Sequence, residues 1–270
     1  MSAKSSDKPR KTLKHRVKHA ATKVAGQKPE GGWNWAMLAI LPIWVFAAFI
    51  FSSFAVAAIL GFLSWVNLPL DNYFRPAVLR TGIALLIYAF TLAIVIGGPY
   101  VWRRQSTSLQ TLGLTRMVSW TDIGLAPVVY IAYMLVLVTV FATISSWIPS
   151  LPLDQVQDVG FDAFGSRTDN LLAFLTLVVL SPIAEETLFR GYLYGKLKTY
   201  VPVVVAAIVT SLLFALVHFQ LNVGIDVFIL SLFLCGLRSL TGSIWAGVLV
   251  HMIKNGVAYY ILFVSPLIGG

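Results

Sequence analysis

Long apolar runs separated by short polar turns fill most of this chain, and the run lengths set its fold class. Seven stretches, at about residues 37–66, 77–101, 122–148, 170–198, 202–221, 224–240 and 243–264, are near or above the roughly 20 residues a helix needs to cross a bilayer core. The first and fourth are long enough to tilt or kink. Their Leu, Ile, Val and Phe runs lack the strict alternation of a membrane β-barrel, and a backbone crossing lipid must satisfy its own hydrogen bonds. The pattern predicts an all-α protein: a polytopic transmembrane bundle of seven or eight helices. Composition agrees, with 58% of 270 residues hydrophobic and only 11% charged.

Charge then divides the chain. Nine of the 20 Lys and Arg residues lie between Lys4 and Lys28, against Asp7 and Glu30 alone. Residues 1–32 contain no aromatic side chain and are too polar to pack, so they are expected to be a disordered basic arm against an anionic membrane surface. The missing aromatics argue against nucleic-acid binding, which stacks bases between its cations. The apolar run that follows is too long for a signal peptide and is expected to be the first membrane helix. Residues 33–270 are expected to form a single transmembrane domain. Arg103, Arg104 and Arg116 fall in the 102–120 loop, whereas 149–170 carries Asp154, Asp158, Asp162 and Asp169 with Arg167. Positive-inside bias therefore places the arm, the 102–120 loop and the Lys196/Lys198 turn in the cytoplasm, and the acidic loop outside. The lone cysteine, Cys235, excludes an internal disulfide and reads as a small packing residue.

Ionisable groups at membrane depth mark function by default. None is evident deep in the spans before residue 148, so 33–169 reads as scaffold and 170–264 as the catalytic helices. Ser181-Pro-Ile-Ala-Glu-Glu-Thr-Leu-Phe-Arg-Gly191 puts two acids and an arginine inside the fourth apolar run. Glu186 and Arg190 are four residues apart and share a helical face, which suits an ion pair. Glu185 points about 100° away and is released for another role, that of a general base beside a structural anion. Pro182 removes a backbone donor and is expected to kink the helix nearby. His218 is expected deep in the fifth helix, and His251 and Asn255 share a face of the last. These are the two histidines outside the basic arm. Glutamate and histidine can activate water, while histidine and a carboxamide can stabilise an oxyanion. Ser181, Ser211 and Ser243 lie in no nucleophile setting. Two histidines and a glutamate would also suit zinc, but His-Glu-x-x-His is absent and an arginine beside the acids opposes added positive charge.

Glu185-Glu186-x-x-x-Arg190, Phe214-x-x-x-His218 and His251-x-x-x-Asn255, in this order, resemble the CPBP family. These CAAX proteases and bacteriocin-processing enzymes, also called the ABI family, are intramembrane glutamic endopeptidases. The flanking Leu-Phe-Arg-Gly-Tyr-Leu and Thr-Gly-Ser-Ile-Trp-Ala segments fit as well, and the likeness covers roughly residues 170–260. It implies that Glu185 and His218 activate water, that His251 and Asn255 form the oxyanion hole, and that Glu186 and Arg190 support them, with no cofactor or metal. Lys254 departs from the small or apolar residue expected there and reads first as snorkelling toward the surface, otherwise as meeting a substrate carboxylate or perturbing the site. Asn222 reads as a helix cap, otherwise as a group orienting His218.

The function expected is hydrolysis of a peptide bond in a membrane-associated peptide or protein, in a prokaryotic plasma membrane. Maturation of peptides and bacteriocin immunity are the roles such a resemblance brings. A non-proteolytic scaffold of the same fold stays open, as does a proton-coupled carrier, although two matching halves with opposed helix breaks are not seen. No oligomeric state is implied.

Overall fold

The computed structural model describes residues 32–153, 155, 161 and 166–264. The basic arm, apart from Gly32, and Asp154, Asp158 and Asp162 of the acidic loop lie outside the described residues. Among these residues the structure is helical without strands. Six helices are long and apolar enough to cross a membrane. They are α1 (Met37–Trp65), α2 (Pro76–Arg103), α4 (Trp120–Trp147), α5 (Arg167–Tyr200), α7 (Leu221–Thr241) and α8 (Trp245–Val264). A four-residue helix, α3 (Leu109–Leu112), and a 14-residue helix, α6 (Val203–Leu216), complete the bundle.

Local chemistry sets several boundaries. Pro76 opens α2 at a position where its missing N–H costs nothing. Ser119 and Asp122 form a reciprocal capping box that starts α4 two residues before the apolar run suggests, and Arg116 pairs with Asp122 at 2.5 Å. Ser166 and Asp169 repeat the device at the start of α5. The largest departure from expectation is α6. It ends at Leu216, and Phe219 in the following turn has a φ of 53°, a left-handed backbone an aromatic residue seldom adopts.

Helix α5 is the axis of the molecule. It touches α1, α2, α6, α7 and α8, while α4 packs outside α7 and α8. Two π-helical segments, Leu175–Leu180 and Thr187–Leu193, interrupt it on either side of the six residues Ser181–Glu186. Such widened turns are frequent at functional sites. Phe51, Phe54, Phe62, Ile131, Leu135 and Val138 on α1 and α4 face outward, as helices whose solvent is lipid should.

The 102–120 segment and the Lys196/Lys198 turn gather at one end, with Asn34 beside them. Asn34 N donates to Tyr200 O at 2.8 Å, and Ile244 N donates to Gly113 O at 3.2 Å. There α3 lies against α5 so closely that glycine is required. A Cβ at Gly191 would sit 3.0 Å from Leu112 O, and one at Gly195 would sit 2.4 Å from Thr111 O. Arg238, buried at the end of α7, donates to Gln110 O at 3.1 Å and Thr111 O at 2.9 Å, satisfying carbonyls that so short a helix leaves open. At the opposite end Arg75 pairs with Asp169 at 2.5 Å, and Tyr259 Oη donates to Asn170 O at 2.9 Å. Seven passages of the chain between the two ends, with α6 the short one, carry the end of α8 to the side opposite the start of α1.

Candidate active site

The site begins with the two carboxylates of the short segment between the π turns. Glu186 and Arg190 are both wholly buried, and Arg190 Nη1 donates to Glu186 Oε1 at 2.7 Å. The same oxygen lies 3.1 Å from His251 Nδ1. A carboxylate oxygen bonded at these distances accepts, so Nδ1 carries the proton and His251 is oriented by Glu186. Gly247, one turn before His251 on α8, leaves room for the pair: a Cβ there would stand 3.0 Å from Glu186 Oε2. The ion pair expected from the i, i+4 spacing is present, and it also fixes the last histidine.

Glu185 turns the other way. Its side chain is 17% exposed, and its Oε2 is 3.7 Å from His251 Nε2. Its Oε1 accepts a 2.5 Å hydrogen bond from Tyr88 Oη of α2. Tyr88 belongs to the half that the sequence reads as scaffold, so that half also supplies a polar group to the site.

His218 stands in the turn after α6 rather than deep within a helix. Its Nδ1 lies 2.7 Å from Phe214 O, one of the carbonyls left open at the helix end. A carbonyl only accepts, which places the proton on Nδ1 and leaves Nε2 with its lone pair. The motif spacing thus has a local cause: His218 caps the turn that presents it. Phe214 organises the rest. Its ring meets Phe189 at 4.8 Å, His218 at 5.0 Å and His251 at 5.9 Å, each near edge-on, and Arg190 Cζ lies 4.4 Å above it.

Asn255 is committed to the backbone. Its Nδ2 donates to Leu177 O at 2.8 Å. Pro182 brings no N–H to the carbonyls of the preceding turn, and Leu177 in that turn takes its hydrogen bond from this side chain. One amide hydrogen is thereby used and the other remains.

Two cavities meet at Glu185. One, of about 260 Å³, is aromatic, with Phe46, Phe49, Phe189 and Phe214 beside Tyr88, Glu185 and His218. The other, of about 300 Å³, is polar, with Ser181, His251, Lys254 and Asn255 facing the same three residues. Glu185, His218, His251 and Asn255 thus share one polar cavity, although Glu185 and His218 share no direct hydrogen bond. Among the described residues no three His, Cys, Asp or Glu side chains are arranged to hold a metal ion.

Two side chains behave otherwise than expected. Lys254 does not snorkel: its Nζ is 3.3 Å from Asp226 Oδ2 on α7, and Asp226 Oδ1 also accepts from Tyr133 Oη of α4. An acid at membrane depth demands a partner, and that demand, applied to Asp226, would have found the pair from sequence. Asn222 neither caps α7 nor touches His218. Its Nδ2 donates to Leu153 O at 3.3 Å and Gln155 O at 2.7 Å, tying the segment after α4 to the bundle. Tyr88 carries no sequence signal beyond being a tyrosine in an apolar run.

A helical membrane protein with acids, histidines and a carboxamide around an internal cavity is the class that fold and site define. Residues 167–257 match the Rce1-like family, described as type II CAAX prenyl endopeptidase, so the resemblance in the motifs is found again over the helices that hold them. An uncharacterized 24.3 kDa protein of Escherichia coli is 29% identical over 159 residues, covering 56% of this chain and 68% of that protein. No solved structure matches the chain.

Proposed function

We propose that this protein is a metal-independent glutamic endopeptidase of the prokaryotic plasma membrane, with its basic N-terminal arm in the cytoplasm. It cuts a peptide bond of a membrane-associated peptide or protein. The observation that carries this reading is the unequal placement of the two acids. Glu186 is sealed between Arg190 and His251, whereas Glu185 is open to both cavities in company with His218.

Water held between Glu185 and His218 Nε2 gives a proton to the Glu185 carboxylate as its oxygen bonds to the substrate carbonyl carbon. The carbonyl π electrons move to oxygen, and this oxyanion takes hydrogen bonds from the second amide hydrogen of Asn255 and from His251 when its ring carries both protons. Collapse re-forms the carbonyl and breaks the C–N bond while Glu185 returns its proton to the leaving nitrogen. One water is consumed, and the products are a carboxylic acid and an amine. The aromatic cavity suits a bulky apolar side chain on one side of the scissile bond.

The test is cleavage of a peptide library by purified protein in detergent, read by mass spectrometry, with the Glu185→Gln variant alongside. Turnover in Glu185→Gln should fall by roughly 10²–10⁴-fold with folding retained, and wild-type activity should persist through exhaustive chelation. Full activity in Glu185→Gln overturns the assignment of the base. Loss on chelation with recovery by zinc overturns the metal-independent mechanism.

A further inference from the structure

We infer that Tyr88 is a positioning residue for the hydrolytic site, holding one carboxylate oxygen of Glu185 so that the other faces the histidines. The inference rests on the reading of Glu185 as the base. Its evidence comes from outside the family-matched segment, since Tyr88 lies on α2 and the match begins at residue 167.

A glutamate has three rotatable side-chain bonds, and a base that wanders among rotamers is rarely aligned with its water. Glu186 is fixed by Arg190, but nothing on α5 fixes Glu185 in that way. Its contacts are both from other helices. Tyr88 Oη donates to Oε1 at 2.5 Å, and His251 Nε2 stands 3.7 Å from Oε2, beyond hydrogen-bond reach. Tyr88 therefore makes the short directed bond that sets the carboxylate plane. With Oε1 occupied, Oε2 is the oxygen left to accept a proton from water.

Placement strengthens the case. Tyr88 lines both cavities, as do Glu185 and His218. Tyr88 thus stands at the junction of the aromatic and polar cavities. The supporting packing is between α2 and α5, with Thr81 Oγ1 and Thr176 Oγ1 3.0 Å apart about two turns from Tyr88. A phenol is suited to the role because its rigid ring reaches across a helix interface and delivers one hydroxyl with little freedom to lose.

The test uses full-length Tyr88→Phe, which keeps the ring and removes only the hydroxyl. The infrared difference between wild type and Glu185→Gln isolates the Glu185 carboxyl band, and in Tyr88→Phe that band should be displaced. With the peptide cleaved fastest in the library, kcat should fall about 10- to 100-fold while KM stays within twofold and the melting temperature is unchanged. An unmoved infrared band overturns the inference, because the hydrogen bond is then absent. A displaced band with unchanged kcat also overturns it, since the bond then does not serve turnover. Full activity in Glu185→Gln is a separate failure, that of the base itself. The infrared arm reads the bond whether or not a peptide in the library is cleaved.

Discussion

Replacing Glu186 by glutamine would test whether the buried pair holds the bundle together. The change keeps side-chain volume and removes one charge. Glu186 and Arg190 are both at 0% exposure, and Arg190 Nη1 donates to Glu186 Oε1 at 2.7 Å. Arginine keeps its proton, so the variant must bury a guanidinium without a counter-charge, its ring neighbour being the face of Phe214 4.4 Å away. Breaking a buried pair by removing one partner costs about 3–5 kcal/mol, and a cation–π contact of about 2 kcal/mol already exists in the wild type and adds nothing new. Glutamine can still accept one hydrogen bond, but it cannot serve Arg190 and His251 with an anion. Thermal unfolding in detergent, followed by intrinsic tryptophan fluorescence, should show a large loss of stability for Glu186→Gln. The double variant Glu186→Gln with Arg190→Met removes both charges and should regain more than half of that loss. A Glu186→Gln protein that melts with the wild type, or a double variant no more stable than the single, would refute the reasoning.

Two further outcomes follow from packing and orientation. Gly195→Ala drives a Cβ to 2.4 Å from the Thr111 carbonyl and should destabilise by about 1–3 kcal/mol, whereas Gly236→Ala, with no atom within 4 Å, should be neutral or stabilise by up to about 1 kcal/mol; equal effects in chemical or thermal unfolding would contradict the tight α3–α5 seat. In a Cys235→Ala background, an impermeant thiol reagent added outside intact cells should label a cysteine at Asn72 and spare one at Gln105, and the reverse pattern would invert the orientation.

How much of this was legible depends on whether the signal was local. The apolar runs gave the bundle because span length is a property of one segment. Glu186 and Arg190 were legible as a pair because i, i+4 geometry needs only a helix, and the π turn starting at Thr187 leaves that contact in place. The end of α6 was not legible: 202–221 reads as one apolar run, and nothing in Leu-Val-His-Phe announces a left-handed residue at Phe219. Tyr88 is one of ten tyrosines, and only the packing of α2 on α5 makes it a neighbour of Glu185. Lys254 stands out in the sequence, but its partner Asp226 lies 28 residues earlier on another helix, and only the packing of α7 on α8 brings the two within 3.3 Å. The carboxamide of Asn255 was expected to point at substrate, while its bond to Leu177 O depends on how another helix is interrupted.

The shortness of α6 has a consequence for where His218 stands. Fourteen residues rise about 21 Å, some 9 Å less than a hydrocarbon core of about 30 Å. Above its last turn the chain reverses through Val217–Gln220 instead of continuing to the far surface. The reversal is met largely within the protein: Val217 N, His218 N and Phe219 N donate to Leu213 O, Ala215 O and Leu216 O, and Gln220 Nε2 donates to Gln155 O. For the hydrolysis proposed above, water must be held at a fixed point, and this early turn is what sets His218 beside the two cavities. Ending α6 early and holding its histidine at cavity depth are here one and the same act.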